Sequence, residues 1–386
     1  MTLSSAQPQR LRRDWADLDA GPAGLVAEHV LGNDILDLVR FRVVCKVWRA
    51  CSAHLRAEGV LDRRFHPRRW IMLPKAYNNS NGWRRFLNVF TGESIHRGLP
   101  DLAQRCPHVL GTTSEGLILQ LGTDVGQLLN PLTGQVVGLP SAATLLSIAE
   151  FHYEQLFELS LYGAGLAADD TVVIHFRSFS IAVAKPCDER WTHIRSQHRI
   201  TSLLPFKGRV YCATSRNILL VETQTNGANQ PPQLVVAAGH KLQEGFGSLE
   251  NFKYELYEGR CRMFLVENNG ELILCLRARS EQQIPRECNV SVYRVDLDAE
   301  NTVPLHGLDG KTLFLGRKRR LLLVATEVSP SINAETAYLC WLKPKDDADV
   351  YGIDLFGGGR AEPKFKKGDV AYYLSCFVSY SCSEYF

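Results

Sequence analysis

The side chains in this sequence that could carry out chemistry are mainly its carboxylates, cysteines and histidines. Glu154, Glu158, Asp169 and Asp170 offer carboxylates that could serve as acids or bases, but neighbouring acids usually belong to a solvated loop. The sequence contains no GxSxG elbow, no HExxH, no P-loop and no GxGxxG after a strand. We therefore predict that the protein has no catalytic residues and is not an enzyme.

The cysteines and histidines do not predict a metal site or a disulfide framework. The chain has 11 cysteines, an odd number, and no CxxC pair, and its 11 histidines do not pair at metal-binding spacing. Several cysteines lie inside apolar runs such as "LILCL" and "YLCWL", where a thiol behaves as a small hydrophobic group. These observations indicate a reducing compartment and predict no cofactor and no metal.

Composition and charge narrow the remaining possibilities. The 386 residues carry a formal net charge of +3 and are 45% hydrophobic, which is ordinary for globular protein and demands neither nucleic acid nor membrane as a partner. The first residues have no secretory signal pattern, and no apolar run approaches the roughly 20 residues of a membrane helix. We expect a soluble protein of the cytoplasm, the nucleus or both.

The elements that position any site begin with a helical region. Residues 1–13 are expected to form a disordered tail. In "PAGLVAEHVLG" the apolar residues follow helical spacing, and a second helix is predicted from about Asp34 through Trp48 to Leu55. That helix contains "VRFRVVCKVWRA" (39–50), which mixes cations with more apolar residues than one face can hold. This is typical of a helix that neighbours cover on two sides or that binds a partner. The helical domain is predicted at 14–57, with a linker at 58–66.

Beyond His66-Pro67 the helical period nearly disappears and short strand-like runs follow. A proline disfavours helix in the residue before it, and turn residues separate the later runs. The Asn269-Gly270 pair predicts a hairpin, because both central residues of a type I′ turn need positive φ. The predicted strands lie at 116–121, 171–176, 208–214, 217–222, 262–267, 271–276, 290–297, 320–326, 336–342 and 350–355.

A weak internal repeat indicates how these strands are arranged. The stretches "FTGESIHRGLP" and "LTGQVVGLP" both contain Thr-Gly followed by Leu-Pro, at a spacing of roughly 40 residues, which is typical of propeller blades. We predict a mainly β fold, with a β-propeller of six or seven blades at 67–356; a β-sandwich pair or another barrel-like fold is the alternative. The basic run "GRKRRL" (316–321) is predicted to be a hairpin turn, with a nuclear localisation signal as the alternative. The aromatic-rich segment 357–386 has β character, and we expect a closing strand or a tail that packs on the propeller.

The N-terminal region resembles an F-box. Its second half reads Arg-x-Val-Cys-Lys-x-Trp-Arg, carried by Arg42, Val44, Cys45, Lys46, Trp48 and Arg49. In the first half, Gly21 stands where the family has Leu, and Gly24 stands where Glu is common.

The rest of the chain, from about Pro67 to Leu355, resembles the kelch-like, KIB-type β-propeller domain that follows the F-box in many plant proteins. The resemblance is carried by "NPLTGQVVGLP" (130–140), "RWTHI" (190–194), "LPFKGRVYCAT" (204–214), "FLVENNGELILCLR" (264–277), "VYRVDLD" (292–298) and "LDGKTLFLG" (308–316).

These two resemblances imply a substrate-recruiting subunit of an SCF-type ubiquitin ligase. The F-box would bind the Skp-type adaptor, and through it the cullin complex, while the propeller binds a protein substrate. The implied adaptor-binding residues are Pro22, Leu25, Val26, Val30, Leu36, Leu38, Phe41, Val44, Cys45, Trp48 and Arg49. Weaker candidates for substrate binding are Tyr77, Trp83 and Arg84, which are of the types favoured at interface hot spots.

Two other hypotheses remain open at this stage. The chain could be a free-standing propeller that binds proteins while its F-box does not engage the adaptor, which Gly21 and Gly24 motivate. A propeller enzyme is the third hypothesis, and it would need convergent polar side chains in the central channel.

Overall fold

The computed structural model of the protein describes residues 15, 18–55, 59–73, 83–99, 109–122, 124–145, 161–223, 231–242, 248–257, 261–279, 288–316, 320–324, 329–343, 347–356, 360–361, 365 and 369–379. Backbone contacts divide the chain into two compact units. We call residues 1–66 the helical unit and residues 67–386 the propeller unit. The predicted tail at 1–13 lies outside the described residues.

The described part of the helical unit contains three α-helices: α1 (Ala20–Asn33), α2 (Ile35–Val44) and α3 (Lys46–Cys51). The carboxylate of Asp34 accepts the amide of Leu36 at 2.8 Å and caps α2. The single helix predicted from Asp34 to Leu55 is therefore wrong. Cys45 is extended, with φ −155°, and its Sγ accepts the amide of Trp48 at 3.4 Å, so a new helix begins there.

One arginine closes the end of α3. Nη1 of Arg42 donates to the carbonyl oxygens of Ser52 at 3.0 Å and Ala53 at 2.8 Å. The last carbonyls of a helix lack partners within the helix, so a cation at this place satisfies them and complements the helix dipole. Burial and the nearby charge of Arg49 lower the pKa of Arg42. Arg42, the first residue of the stretch that resembles an F-box, is thus engaged inside the helical unit.

The described part of the propeller unit forms six sheets. The first sheet contains β1 (Trp70–Met72), β2 (Trp83–Asn88) and β3 (Ser94–Gly98). The second contains β4 (Val109–Thr112), β5 (Ile118–Leu121), β6 (Gly126–Leu129) and β7 (Val136–Leu139). The third contains β8 (Gly163–Leu166), β9 (Val172–Arg177), β10 (Ser180–Ala184) and β11 (Thr192–Arg195).

The fourth sheet contains β12 (Ile200–Phe206), β13 (Arg209–Thr214), β14 (Asn217–Glu222) and β15 (Gln233–Gly239). The fifth contains β16 (Cys261–Asn268), β17 (Glu271–Arg279), β18 (Cys288–Asp296) and β19 (Asn301–Pro304). The sixth contains β20 (Lys311–Leu315), β21 (Arg320–Val324), β22 (Thr336–Lys343), β23 (Asp347–Asp354) and β24 (Arg360–Ala361). Helix α4 (Leu249–Tyr257) lies between β15 and β16.

The second to fifth sheets are four-stranded antiparallel meanders, and apolar side chains of neighbouring sheets form shared cores. In one such core, Leu203 of the fourth sheet and Val173 of the third are both almost fully buried. Each stretch predicted as a strand contains a strand of the structure. The fold is a six-bladed β-propeller, which confirms the mainly β prediction. Of the two predicted blade numbers, six and seven, the structure has six.

The Thr-Gly repeat is a real structural repeat. In the turn from β2 to β3, Oδ1 of Asn88 accepts the amide of Phe90 at 2.9 Å, and Gly92 has φ +71°. In the turn from β6 to β7, Oδ1 of Asn130 accepts the amide of Leu132 at 3.0 Å, and Gly134 has φ +74°. The glycine is needed because other residues rarely adopt this left-handed conformation.

A third turn has the same geometry without the glycine. Between β18 and β19, Oδ1 of Asp296 accepts the amides of Asp298 and Ala299, and Glu300 has φ +53°. The Thr-Gly pattern does not identify this third turn in the sequence, because Asp296 replaces the asparagine and Glu300 replaces the glycine.

The sixth sheet departs from the meander order. Its strands are arranged β21-β20-β22-β23-β24, and β20 pairs with β22 in parallel. Strands β20 and β21 pair antiparallel, with Leu315 opposite Arg320, as expected for a hairpin. Residues 317–319 of the basic run lie outside the described residues, and Arg320 and Leu321 belong to β21. The second strand of this hairpin therefore lies at the edge of the sheet rather than between its neighbours in sequence.

The last described segment of the chain is helical. Helix α5 (Val370–Ser379) packs on the propeller, as one of the two alternatives for segment 357–386 predicted, and it is a helix rather than the closing strand of the other alternative. Ala371, Leu374 and Val378 are fully buried at helical spacing, a pattern that the aromatic composition obscured. Their cluster includes Leu87 of the first sheet and Tyr338 of the sixth, so α5 packs where the two ends of the ring meet.

Candidate protein-binding surfaces

The predicted adaptor-binding residues divide into a buried group and an exposed group. Leu36, Leu38 and Phe41 are buried, with Leu38 fully inaccessible, so they stabilise the helical unit itself. Val30, Cys45 and Trp48 are partly exposed. The ring of Trp48 stacks on Phe41 at 4.4 Å between centroids, and its Nε1 donates to the carbonyl of Trp15 at 3.2 Å.

The exposed group forms what we call the aliphatic surface of the helical unit. Leu25 and Val26 on α1 are 76% and 43% exposed, and Val44 at the end of α2 is 57% exposed. Pro22 and Arg49 are exposed as well. Two further aliphatic residues that the sequence had not assigned to the site, Val43 and Val47, are 68% and 45% exposed. The signal for these two residues was the excess of apolar residues in 39–50, which one face of a helix could not hold.

Gly24, one of the two departures from the family pattern, lies where α1 approaches α3. A Cβ atom at this position would lie 3.5 Å from the carbonyl oxygen of Cys51. That distance is ordinary van der Waals contact, so the space beside α3 would admit a Cβ atom at this position. Gly21 has open space around it, so packing does not require a glycine there.

The predicted substrate-binding residues do not form a cluster. Tyr77 lies outside the described residues. Trp83 is 51% exposed, and its ring covers Gly98 on the paired strand β3. Arg84 is only 6% exposed and donates to the carbonyl of Trp83, and burial lowers its pKa, which does not fit an exposed anchor.

The carboxylates singled out in the sequence serve the local structure where they are described. Asp169 Oδ2 accepts the hydroxyl of Thr223 at 3.0 Å and lies 3.2 Å from Nζ of Lys185. Burial alone would raise the pKa of Asp169, but its hydrogen bonds with Thr171, Lys185 and Thr223 outweigh burial and lower it. Asp170 has φ +64° in the same turn. Glu154 and Glu158 lie outside the described residues.

A small cleft of about 20 Å³ lies between β9, the start of β12, α4 and β16. Its polar lining includes Tyr162, His175, Ser178, Arg199 and Arg262. The cleft also contains Cys261, but burial raises the pKa of this thiol to about 12, which keeps it protonated and a poor nucleophile.

Two features are absent from the described residues. They contain no group of three or more His, Cys, Asp or Glu side chains that could hold a metal ion. None of their helices is long and apolar enough to span a membrane.

Comparisons with known proteins bear on the propeller. A family model described as KIB1-4 beta-propeller matches residues 86–373. No curated protein matches the chain. Among solved structures, the Pan2 WD40 domain of Neurospora crassa is 8% identical, with a TM-score of 0.32, over 75% of this chain and 73% of that one. Hsv2 of Kluyvelomyces marxianus is 10% identical, with a TM-score of 0.30, over 64% of this chain and 68% of that one.

Proposed function

Because the chain belongs to the KIB1-4 beta-propeller family, we propose that its propeller binds a protein substrate and that its helical unit is an F-box. In this proposal the protein is the substrate-recruiting subunit of an SCF-type ubiquitin ligase. The helical unit binds a Skp-type adaptor, and other subunits carry out the transfer chemistry. The protein itself would act without catalysis.

The observation that carries the proposal is the aliphatic surface of the helical unit. A small helical unit that exposes Leu25, Val43, Val44 and Val47 leaves apolar area in water that a partner can cover. Val44 and Val47 lie within the Val-Cys-Lys-x-Trp-Arg stretch on which the F-box resemblance rests, and Val43 directly precedes it. Lys46 and Arg49 are exposed beside them and supply positive charge at the rim of the surface, which suits an acidic adaptor.

The experiment that tests the proposal changes this surface without changing the core. Leu25→Asp and Val44→Asp place charges on exposed sites, so the helical unit should keep its stability while binding to purified Skp adaptor falls by a factor of about 10 or more. Val136→Asp combined with Val236→Asp, at two exposed aliphatic sites of the propeller unit, is the matched control and should bind as the wild type does.

Each outcome has a clear meaning. Adaptor binding that survives Leu25→Asp combined with Val44→Asp would contradict the proposed interface. Failure of the wild-type chain to bind the adaptor would favour a free-standing propeller module. Leu38→Ala is unsuitable as a probe, because this residue is fully buried and its loss would cost about 2–5 kcal/mol of folding free energy.

The proposed substrate role of the propeller has a separate test. Proteins captured by the full chain can be compared with those captured after residues 14–57 are deleted. Substrates should be captured by both chains, whereas the adaptor should be captured by the full chain alone. Substrates that disappear with the deletion would contradict recruitment by the propeller.

A further inference from the structure

We propose that the end of the propeller around helix α4 binds an acidic segment of a partner protein. The binding surface, which we call the α4 surface, consists of His198, Arg199, Arg216, Lys253, Tyr254 and Tyr257. The inference deepens the proposed function, because it rests on the propeller's role as a protein-binding domain and states the chemistry of the segment that it recognises.

Hydrogen bonds join the segments that carry these residues at one end of the strands. Nη1 of Arg199 donates to the carbonyls of Leu256 and Tyr257, both at 3.1 Å, and so ties the connection between β11 and β12 to the last turn of α4. The amide of His240 donates to the carbonyl of Arg216 at 3.5 Å, and the ring of His240 packs edge-on against Phe252 of α4. The surface therefore combines the connection between β11 and β12, the turn between β13 and β14, and helix α4.

Three cations on this surface, Arg199, Arg216 and Lys253, outnumber the two acids of α4, Glu250 and Glu255. Burial lowers the pKa of His198, and the charges of Arg216 and Lys253 lower it further, which places both cations near one imidazole. Arg216 is exposed and makes no ion pair with the described residues. Lys253 lies 2.7 Å from Glu250, but that carboxylate is 79% exposed and offers only a weak, solvent-screened pair. Glu255 is the other described acid on the helix.

Exposed aromatic rings accompany these cations. Tyr254 and Tyr257 of α4 are 54% and 73% exposed, and the guanidinium of Arg199 lies 5.8 Å from the centroid of the Tyr257 ring. Phe179, 44% exposed, extends the surface, since its carbonyl accepts the amide of Ser196 at 2.8 Å in the same connection. Tyr and Arg are among the residue types enriched at protein interfaces. The positive charges of Arg199, Arg216 and Lys253 favour an acidic partner.

A binding measurement with defined peptides tests the proposal. The purified full chain is titrated into two fluorescein-labelled 12-residue peptides, one alternating Glu with Ser and the other Lys with Ser, and fluorescence anisotropy is recorded. We expect the acidic peptide to bind and the basic one not to bind. Arg216→Glu combined with Lys253→Glu should weaken acidic-peptide binding by a factor of about 10 or more.

The matched control reverses the same amount of charge at the opposite end of the fourth sheet. Lys207→Glu combined with Arg209→Glu changes two exposed cations in the turn between β12 and β13 and should leave the affinity within about twofold. Equal losses in the two double variants would overturn the proposal, because net charge alone would then explain binding. If the first variant unfolds, Arg216→Gln with Lys253→Gln takes its place.

Other results would also overturn it. The first is failure of the acidic peptide to bind. The second is a higher affinity for a single-stranded DNA oligonucleotide than for the acidic peptide, if Tyr254→Ala combined with Tyr257→Ala abolishes binding of the DNA. The assay contains no adaptor, and Leu25→Asp with Val44→Asp should bind the peptide as the wild type does. Failure of this proposal is thus distinguishable from failure of the adaptor proposal.

Discussion

Nη2 of Arg320 lies 2.5 Å from the carbonyl oxygen of Leu203, a residue 117 positions earlier in the chain. Nε of the same guanidinium donates to the carbonyl of Leu265 at 2.8 Å. One side chain of β21 therefore links the sixth sheet to the first strands of the fourth and fifth. Burial lowers the pKa of Arg320 to about 10, which still leaves it charged at neutral pH.

Replacement of Arg320 by methionine should destabilise the propeller. Arg320→Met keeps the length of the apolar stem but removes two charge-assisted hydrogen bonds and leaves two carbonyls without this donor, at a cost of about 2–4 kcal/mol. Chemical denaturation followed by circular dichroism measures the change. Arg294→Met, which removes only solvent-exposed ion pairs on β18, should cost about 1 kcal/mol or less. Equal costs would show that Arg320 is not a structural link.

The two Thr-Gly turns offer a matched pair of substitutions. Gly134→Ala should cost about 1 kcal/mol, since φ is +74° and no atom lies within 4 Å of the new Cβ. Gly92 has φ +71°, and a Cβ atom there would also lie 2.8 Å from Cγ2 of Val370 on α5. Gly92→Ala should therefore lower the free energy of unfolding by about 1–3 kcal/mol more than Gly134→Ala does. Val370→Ala in the Gly92→Ala background should recover most of the difference in a double-mutant cycle. No recovery would contradict this contact between α5 and the first sheet.

The third turn of this type predicts a stabilising substitution. Glu300→Gly should raise the free energy of unfolding by about 0.5–1 kcal/mol, because glycine adopts φ +53° without the strain of a Cβ atom. Asp298→Gly in the same turn is the control and should not stabilise, since Asp298 does not have a positive φ. Thermal unfolding of the two variants separates the outcomes. A gain for Asp298→Gly as well would point to general loosening of the loop.

Stability should fall in mildly acidic solution because of His240. Burial lowers the pKa of this imidazole, while hydrogen bonding of Nε2 to the carbonyl of Thr214 at 2.8 Å opposes the shift in part. The folded pKa is therefore below the unfolded value of about 6.5, and the unfolded chain binds the proton more tightly. Stability is fully present above that value and is lost as the pH falls from it towards the folded pKa.

Denaturation curves at pH 7.5 and 5.5 check this dependence. His240→Gln retains a donor for the Thr214 carbonyl but cannot be protonated in this range. The wild type should therefore lose more stability than His240→Gln between the two pH values. Equal losses would assign the pH dependence to other groups.

The regular sheets were predictable because their signals are local. Short apolar runs bounded by turn residues identified strands such as β16 and β17, and the Asn269-Gly270 pair identified the turn between them, where both residues have positive φ. The order of the sixth sheet was not predictable, because a parallel pair such as β20–β22 depends on contacts between distant segments. Helix α5 was missed because its buried residues are spaced for a helix while its composition favours strands.

The candidate surfaces were predictable only in part. The sequence identified the apolar residues of the helical unit, but it could not separate the buried Leu38 from the exposed Leu25, since apolar type alone does not reveal burial. Arg84 was of the right type for an anchor and is buried. The α4 surface was missed entirely, because its residues are far apart in sequence and only the fold brings them together.

The position of α5 has a consequence for folding of the protein during its synthesis on the ribosome. The first sheet is translated early, yet the helix that packs it against the sixth sheet is translated last among the described elements. At typical rates of synthesis this interval is on the order of tens of seconds. During that time Leu87 and its neighbours lack their final partners, so chaperones have a defined apolar seam to protect until the ring closes.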